Sequence, residues 1–169
     1  MLSLFKALRP AVPLSAPAYD AAVNTARAKD WYLAGAVPDT MDGRFALLST
    51  VVALVTLRLE VEGDAGRAPS VALTEAFIAD MDAQMREQGF DATLSKKVRS
   101  LVGSLASRID RWRRLLAGDG NMDEVVRRSV YRDEPAEAEA VATTVRGLQN
   151  LRERLAALSL AEVVAGNWA

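Results

Sequence analysis

Val37-Pro38-Asp39-Thr40-Met41-Asp42-Gly43-Arg44-Phe45 runs without a break into ALLSTVVALVTLRLE at residues 46–60. The second part of this stretch decides the fold. Plotted at 3.6 residues per turn, Phe45, Leu47, Leu48, Val51, Val52, Leu54, Val55 and Leu57 cover most of the circumference. A helix that is apolar nearly all round is buried. The β-branched content would also suit a strand, but the length favours helix. Asp42 is placed to cap it, and Gly63 and Gly66 to end it in a loop. The expected fold is therefore all-α: a single compact bundle of about six helices around a buried central apolar helix near residues 43–60.

The flanking sequence supplies the other helices. Tyr19 to Leu33 is Ala-rich, with Val23, Arg27 and Trp31 at four-residue spacing, and reads as one helix stopped by Gly35 and Pro38. Pro69-Ser70 opens another, with Leu73, Phe77, Ile78, Met81 and Met85 inward and Gly89 at its end. Thr93 can cap the next, whose stripe runs Leu94, Val98, Leu101, Val102, Leu105, Ile109, Trp112, Leu116. Asn121 and Glu124 have capping-box spacing for a short helix to about Tyr131. Pro135 suits the first turn of a last long helix that turns Val141, Val145, Leu148, Leu151, Leu155 and Leu158 inward. Residues 1–17, with Pro10, Pro13 and Pro17, form an N-terminal arm, and residues 18–165 the helical domain. The arm interleaves Leu2, Leu4, Phe5 and Leu8 with Lys6 and Arg9, which suits docking on the domain or contact with a membrane surface.

Composition excludes much of chemistry. The 169 residues include no cysteine and no histidine. Disulfides, thiolate catalysis, His-ligated metals and serine–histidine triads are therefore unavailable. No cofactor, metal or catalytic residue is expected, and the chain reads as a non-enzyme. A formal net charge of −1 predicts no polyanion partner such as DNA. The most apolar run, thirteen residues from Phe45 to Leu57, falls short of the roughly 20 that span a membrane.

The charges are segregated along the chain. Residues 72–91 hold five acids (Glu75, Asp80, Asp82, Glu87, Asp91) against Arg86. Residues 96–114 hold seven bases (Lys96, Lys97, Arg99, Arg108, Arg111, Arg113, Arg114) against Asp110. Consecutive helices with opposite charge can neutralise each other, or the second can offer a basic ridge to RNA, anionic lipid or an acidic peptide. Asp82 and Arg86 stand at ion-pair spacing, while Asp80 falls on a different face from Asp82. That is neither a metal site nor an acid–base pair. Met81 and Met85 follow Phe77 at four-residue steps, a core stripe that would equally suit a surface for apolar helices.

In the leading nine residues, Asp39, Thr40 and Asp42 carry turn and cap chemistry. Gly43 permits close approach of another backbone. Arg44 at a helix N-terminus is unfavourable to the helix dipole and calls for a partner: Asp39, Asp42 or an acid on a neighbouring helix. The loop then serves either as an internal clamp or as the rim of a binding surface.

Three segments together, VPDTMDGRFALL at 37–48, FIADMDAQMREQGF at 77–90 and SKKVR at 95–99, resemble the ubiquinol–cytochrome c chaperone family of alphaproteobacteria and mitochondria. RSVYR at 128–132 and the Trp31-Tyr32 pair are in keeping with it. The resemblance implies an all-helical, non-enzymatic assembly factor for the cytochrome bc1 complex (complex III). Its client would be cytochrome b, with the ribosome near the tunnel exit as a further contact. It would work in the cytoplasm, peripherally on the inner membrane. The expected partner-binding residues are Pro38, Asp39, Thr40, Gly43, Arg44, Asp80, Asp82, Arg86, Lys96 and Lys97. The alternative is an RNA- or ribosome-binding helical module using the basic helix 96–114.

Overall fold

Every residue from Ala46 to Leu57 is buried, so the apolar helix is the axis of the molecule. The computed structural model describes residues 16–89 and 94–169. The N-terminal arm up to residue 15, the loop Phe90–Thr93 with its expected cap Thr93, and the side chains of Leu94 and Ser95 lie outside the described residues. The elements are α1 (Pro17–Ala26), α2 (Lys29–Leu33), α3 (Met41–Glu60), α4 (Asp64–Glu87), α5 (Leu94–Leu116), α6 (Met122–Val126) running into a π turn (Arg127–Tyr131), α7 (Ala138–Ala157) and α8 (Leu160–Val164). The fold is all-α. Helix α3 touches α1, α4, α5, α7, α8 and the π turn.

An all-round buried helix must satisfy its own hydroxyls. Ser49, Thr50 and Thr56 do so by donating back to the carbonyls of Phe45, Ala46 and Val52 one turn earlier. At its C-terminal end, Arg58 leaves the core sideways. Its Nε donates to the Leu155 carbonyl at 2.9 Å, Nη2 to the Leu158 carbonyl at 2.7 Å, and Nη1 to Glu62 at 2.7 Å. One guanidinium thus caps the C-terminus of α7, where the Leu155 carbonyl otherwise has only a long bond from the Leu158 N–H.

Several boundaries differ from the sequence expectation, each for a tertiary reason. The first helix is two. Trp31 Nε1 donates to the Thr25 carbonyl at 2.7 Å and Tyr32 OH to the Ala26 carbonyl at 2.7 Å. These side chains take up carbonyls that a continuing helix would have used, and α2 turns away. Trp31 then lies over Gly147 of α7, where an added Cβ would sit 2.6 Å from the indole ring. Helix α4 begins at Asp64, five residues before Pro69, and contains that proline. Gly66 packs so closely on α3 that an added Cβ would lie 1.9 Å from the Leu59 carbonyl oxygen. The segment read as a flexible loop is therefore the docked first turn of α4. The cap of α3 is Thr40, not Asp42. Helix α7 starts at Ala138, not Pro135, and Leu116 of the α5 stripe is exposed.

Candidate functional site

The loop between α2 and α3 is fastened at both ends. The Gly35 carbonyl accepts a hydrogen bond from Tyr131 OH, which also lies 2.8 Å from Thr144 Oγ1. Tyr131 is buried, so this bond ties the loop to the π turn and to α7 at once. Val37 is buried and donates its N–H to the Trp31 carbonyl. At the other end Thr40 accepts the Gly43 N–H at 3.1 Å, while Gly43 lies against the Pro38 carbonyl. An added Cβ at Gly43 would stand 1.9 Å from that oxygen. The loop can fold back onto the head of α3 because residue 43 has no side chain.

This fold-back sets two ion pairs. Arg44 Nε meets Asp39 Oδ1 at 2.6 Å, and Arg132 of the π-turn segment reaches Asp42 at 2.9 Å. Both are exposed, so each contributes little to stability. The Arg44 guanidinium holds the Asp39 carboxyl below its ordinary range. The carboxylate therefore stays charged at neutral pH, and the pair is lost as the pH falls below the ordinary carboxylate range.

Beside this loop lies a cleft of about 830 Å³. Its walls are the end of α1, α2, the head of α3, the second half of α4 and the beginning of α5. The floor is apolar, from Val23, Phe45, Leu48, Met81, Met85 and Leu101. Phe45 packs on Phe77 with ring centroids 5.9 Å apart, and Phe77 meets the edge of Tyr19 at 6.4 Å. Two large apolar side chains stand out at the lip: Leu33, 77% exposed, and Met41, 55% exposed. Bases (Arg27, Lys29, Arg44, Lys97) and acids (Asp39, Asp42, Asp80) share the rim. Asp80 accepts a hydrogen bond from Tyr19 OH at 2.6 Å, and burial with that carboxylate raises the tyrosine's pKa.

The structure brings Asp39, Arg44, Asp80 and Lys97 around this one cleft. Pro38, Thr40 and Gly43 shape the backbone that forms its wall. Asp82 and Arg86 pair with each other at 2.8 Å and, with the exposed Lys96, do not line it. Leu33 and Met41 were not among the expected partner-binding residues. Their only sequence signal is an apolar residue on each side of a polar loop. The seven bases of residues 96–114 do not form one exposed ridge. Arg108 is buried and Arg113 pairs with Glu60 and Asp110. Among the described residues no cluster of acids could hold a metal ion, and no helix is long and apolar enough to cross a membrane.

The family model described as ubiquinol-cytochrome C chaperone matches residues 33–169. Among solved structures, the crystal structure of the Cbp3 homolog from Brucella abortus is similar at 27% sequence identity and a TM-score of 0.75. The match covers 90% of this chain and 86% of that one. No curated relative matches the chain.

Proposed function

The chain belongs to the ubiquinol-cytochrome C chaperone family, and from that premise we propose that it grips newly made cytochrome b in the cleft beside the α2–α3 loop. The observation that carries the reading is the apolar floor with Leu33 and Met41 exposed at its lip. Large apolar side chains left this exposed mark a surface made to be covered. A helical or loop segment of a membrane protein before assembly is the kind of chain that needs such cover, and a helix laid into an apolar groove is a common mode of recognition. The mixed rim adds register: Arg44, Lys29 and Lys97 can place client acids, and Asp80 a client base. The protein performs no bond-breaking in this reading. It acts from the cytoplasmic face of the inner membrane as a peripheral protein, within reach of ribosomes making the client.

The RNA-binding alternative draws less support, because Arg108 is in the core, Arg113 is in ion pairs and Lys97 is on the cleft rim, which interrupts the basic stretch of α5. Co-purification tests the leading reading. Tagged protein from detergent-solubilised membranes should retain cytochrome b, and the Arg44→Ala form should retain several-fold less, about 1 kcal/mol for a rim cation. Equal retention by the two would remove Arg44 from the client surface. The absence of cytochrome b from both would remove the reading itself.

A further inference from the structure

A second site lies where α5 passes the π turn, next to the cleft through Phe45 and Asp42 but built from other residues. Two arginines converge on Ser129. Arg108 Nε donates to the Ser129 carbonyl at 3.1 Å, and Arg111 Nη1 to Ser129 Oγ at 3.2 Å. Arg128 and Arg132 flank Ser129 in the chain, close enough for their charges to act on Arg111 and Arg108 respectively. Arg108 is 6% exposed and forms no ion pair among the described residues; it also contacts Ser104 and the face of Phe45, 5.6 Å from the ring centroid. A buried charge is normally matched by an opposite one. Here the guanidiniums of Arg108, Arg111, Arg114, Arg128 and Arg132 outnumber the nearby carboxylates of Asp42 and Asp133, the latter also acting on Arg111. Asp42 is held by Arg132, and Asp133 lies 3.9 Å from Arg128. Among the described residues neither Arg108 nor Arg111 has a carboxylate within ion-pair distance.

Three further observations agree. Burial, then the neighbouring guanidiniums of Arg111 and Arg132, lower Arg108 to about 10, so it stays protonated at neutral pH but in an unfavourable field. Arg132 and Asp133 both sit in the left-handed region, φ 57° and 62°, a costly backbone for non-glycine residues that leads the chain past the cluster. One turn beyond Arg108, buried Trp112 has an indole Nε1 with no acceptor. The region thus carries more positive than negative charge.

We propose that Arg108, Arg111, Arg128 and Arg132 form a receptor for one phosphate group, carried by an anionic phospholipid or free in solution. A doubly charged phosphate offsets more of this positive excess than a single carboxylate would. Its oxygens accept from several guanidinium forks at once. Arg128 and Arg132 are exposed and Arg111 is half-buried, while Arg108 is buried behind them. This inference stands on different residues from the client cleft and can fail without it.

The test uses the full chain, with two probes at matched ionic strength: inorganic phosphate, and phosphatidylcholine vesicles with or without phosphatidic acid. Thermal shift reads the first and co-flotation the second. The variants are Arg111→Gln and Arg108→Lys, the latter keeping the charge but losing the fork. Phosphate should raise the melting temperature of the wild type, and both variants should bind about tenfold more weakly or worse. Response to both probes, with phosphate competing against vesicles, assigns a lipid headgroup. Response to phosphate alone assigns a soluble oxyanion. No response to either probe, or a response that Arg111→Gln leaves unchanged while the variant melts cooperatively, overturns the proposal. Capture of an acidic peptide with no response to phosphate also overturns it.

Discussion

Cytochrome b capture will fall by about a hundredfold or more when Leu33 and Met41 are both replaced by aspartate, as each apolar contact is worth about 1.5–3 kcal/mol on burial and about 1.4 kcal/mol is tenfold. Both side chains are largely exposed in the free protein. Their removal therefore costs the fold little, within about 0.5 kcal/mol for a surface position. Once the client covers them, each would contribute by leaving water. An aspartate placed there forfeits that gain and must also lose its own hydration. Binding and stability are thus separated in one variant. Cytochrome b retained on the tagged variant, measured beside a urea melt, reads both. Full retention with an unchanged melt would show that the lip does not touch the client.

Replacing Gly43 with valine will act in the opposite way, through the fold. The smallest side chain at this position would bring a carbon within 1.9 Å of the Pro38 carbonyl oxygen, and that neighbour is backbone. Relief requires the loop to lift off the head of α3. That movement would cost the Thr40 cap on the Gly43 N–H and the Asp39–Arg44 geometry together. Overpacking of this severity costs about 3 kcal/mol or more, a large share of the 5–15 kcal/mol that holds a typical domain. A urea titration should show a markedly lower midpoint, and capture should drop in proportion to the folded fraction. A midpoint within experimental error of wild type would mean that the loop is free to move and does not frame the cleft.

The central helix was legible because its burial is complete and its length unsuited to a strand. The family resemblance was legible in the same stretch, since the loop chemistry of residues 37–45 has to satisfy the close contact at Gly43. The break between α1 and α2 was not. It follows from where Trp31 and Tyr32 donate, and neither glycine nor proline marks it. Pro69 misled as a helix start, because the extra turn of α4 is stabilised by contact with Leu59 rather than by local propensity. Arg108 reads as one more solvent-facing base in a charged helix. Its burial depends on the Ser129 carbonyl, twenty-one residues away in the chain. The cleft was half visible. Its charged rim residues carry recognisable chemistry, while Leu33 and Met41 gain their meaning only when five elements bring them to one lip.

Site-specific crosslinking tests most directly whether this cleft holds the client. A photoreactive residue would replace Leu33 at the lip or, as a control, Val71, which is exposed on α4 outside the cleft. In membranes that are assembling the bc1 complex, position 33 should yield an adduct with cytochrome b and position 71 none. Adducts from position 71 alone, or none from position 33 in cells that assemble the complex normally, would contradict the account.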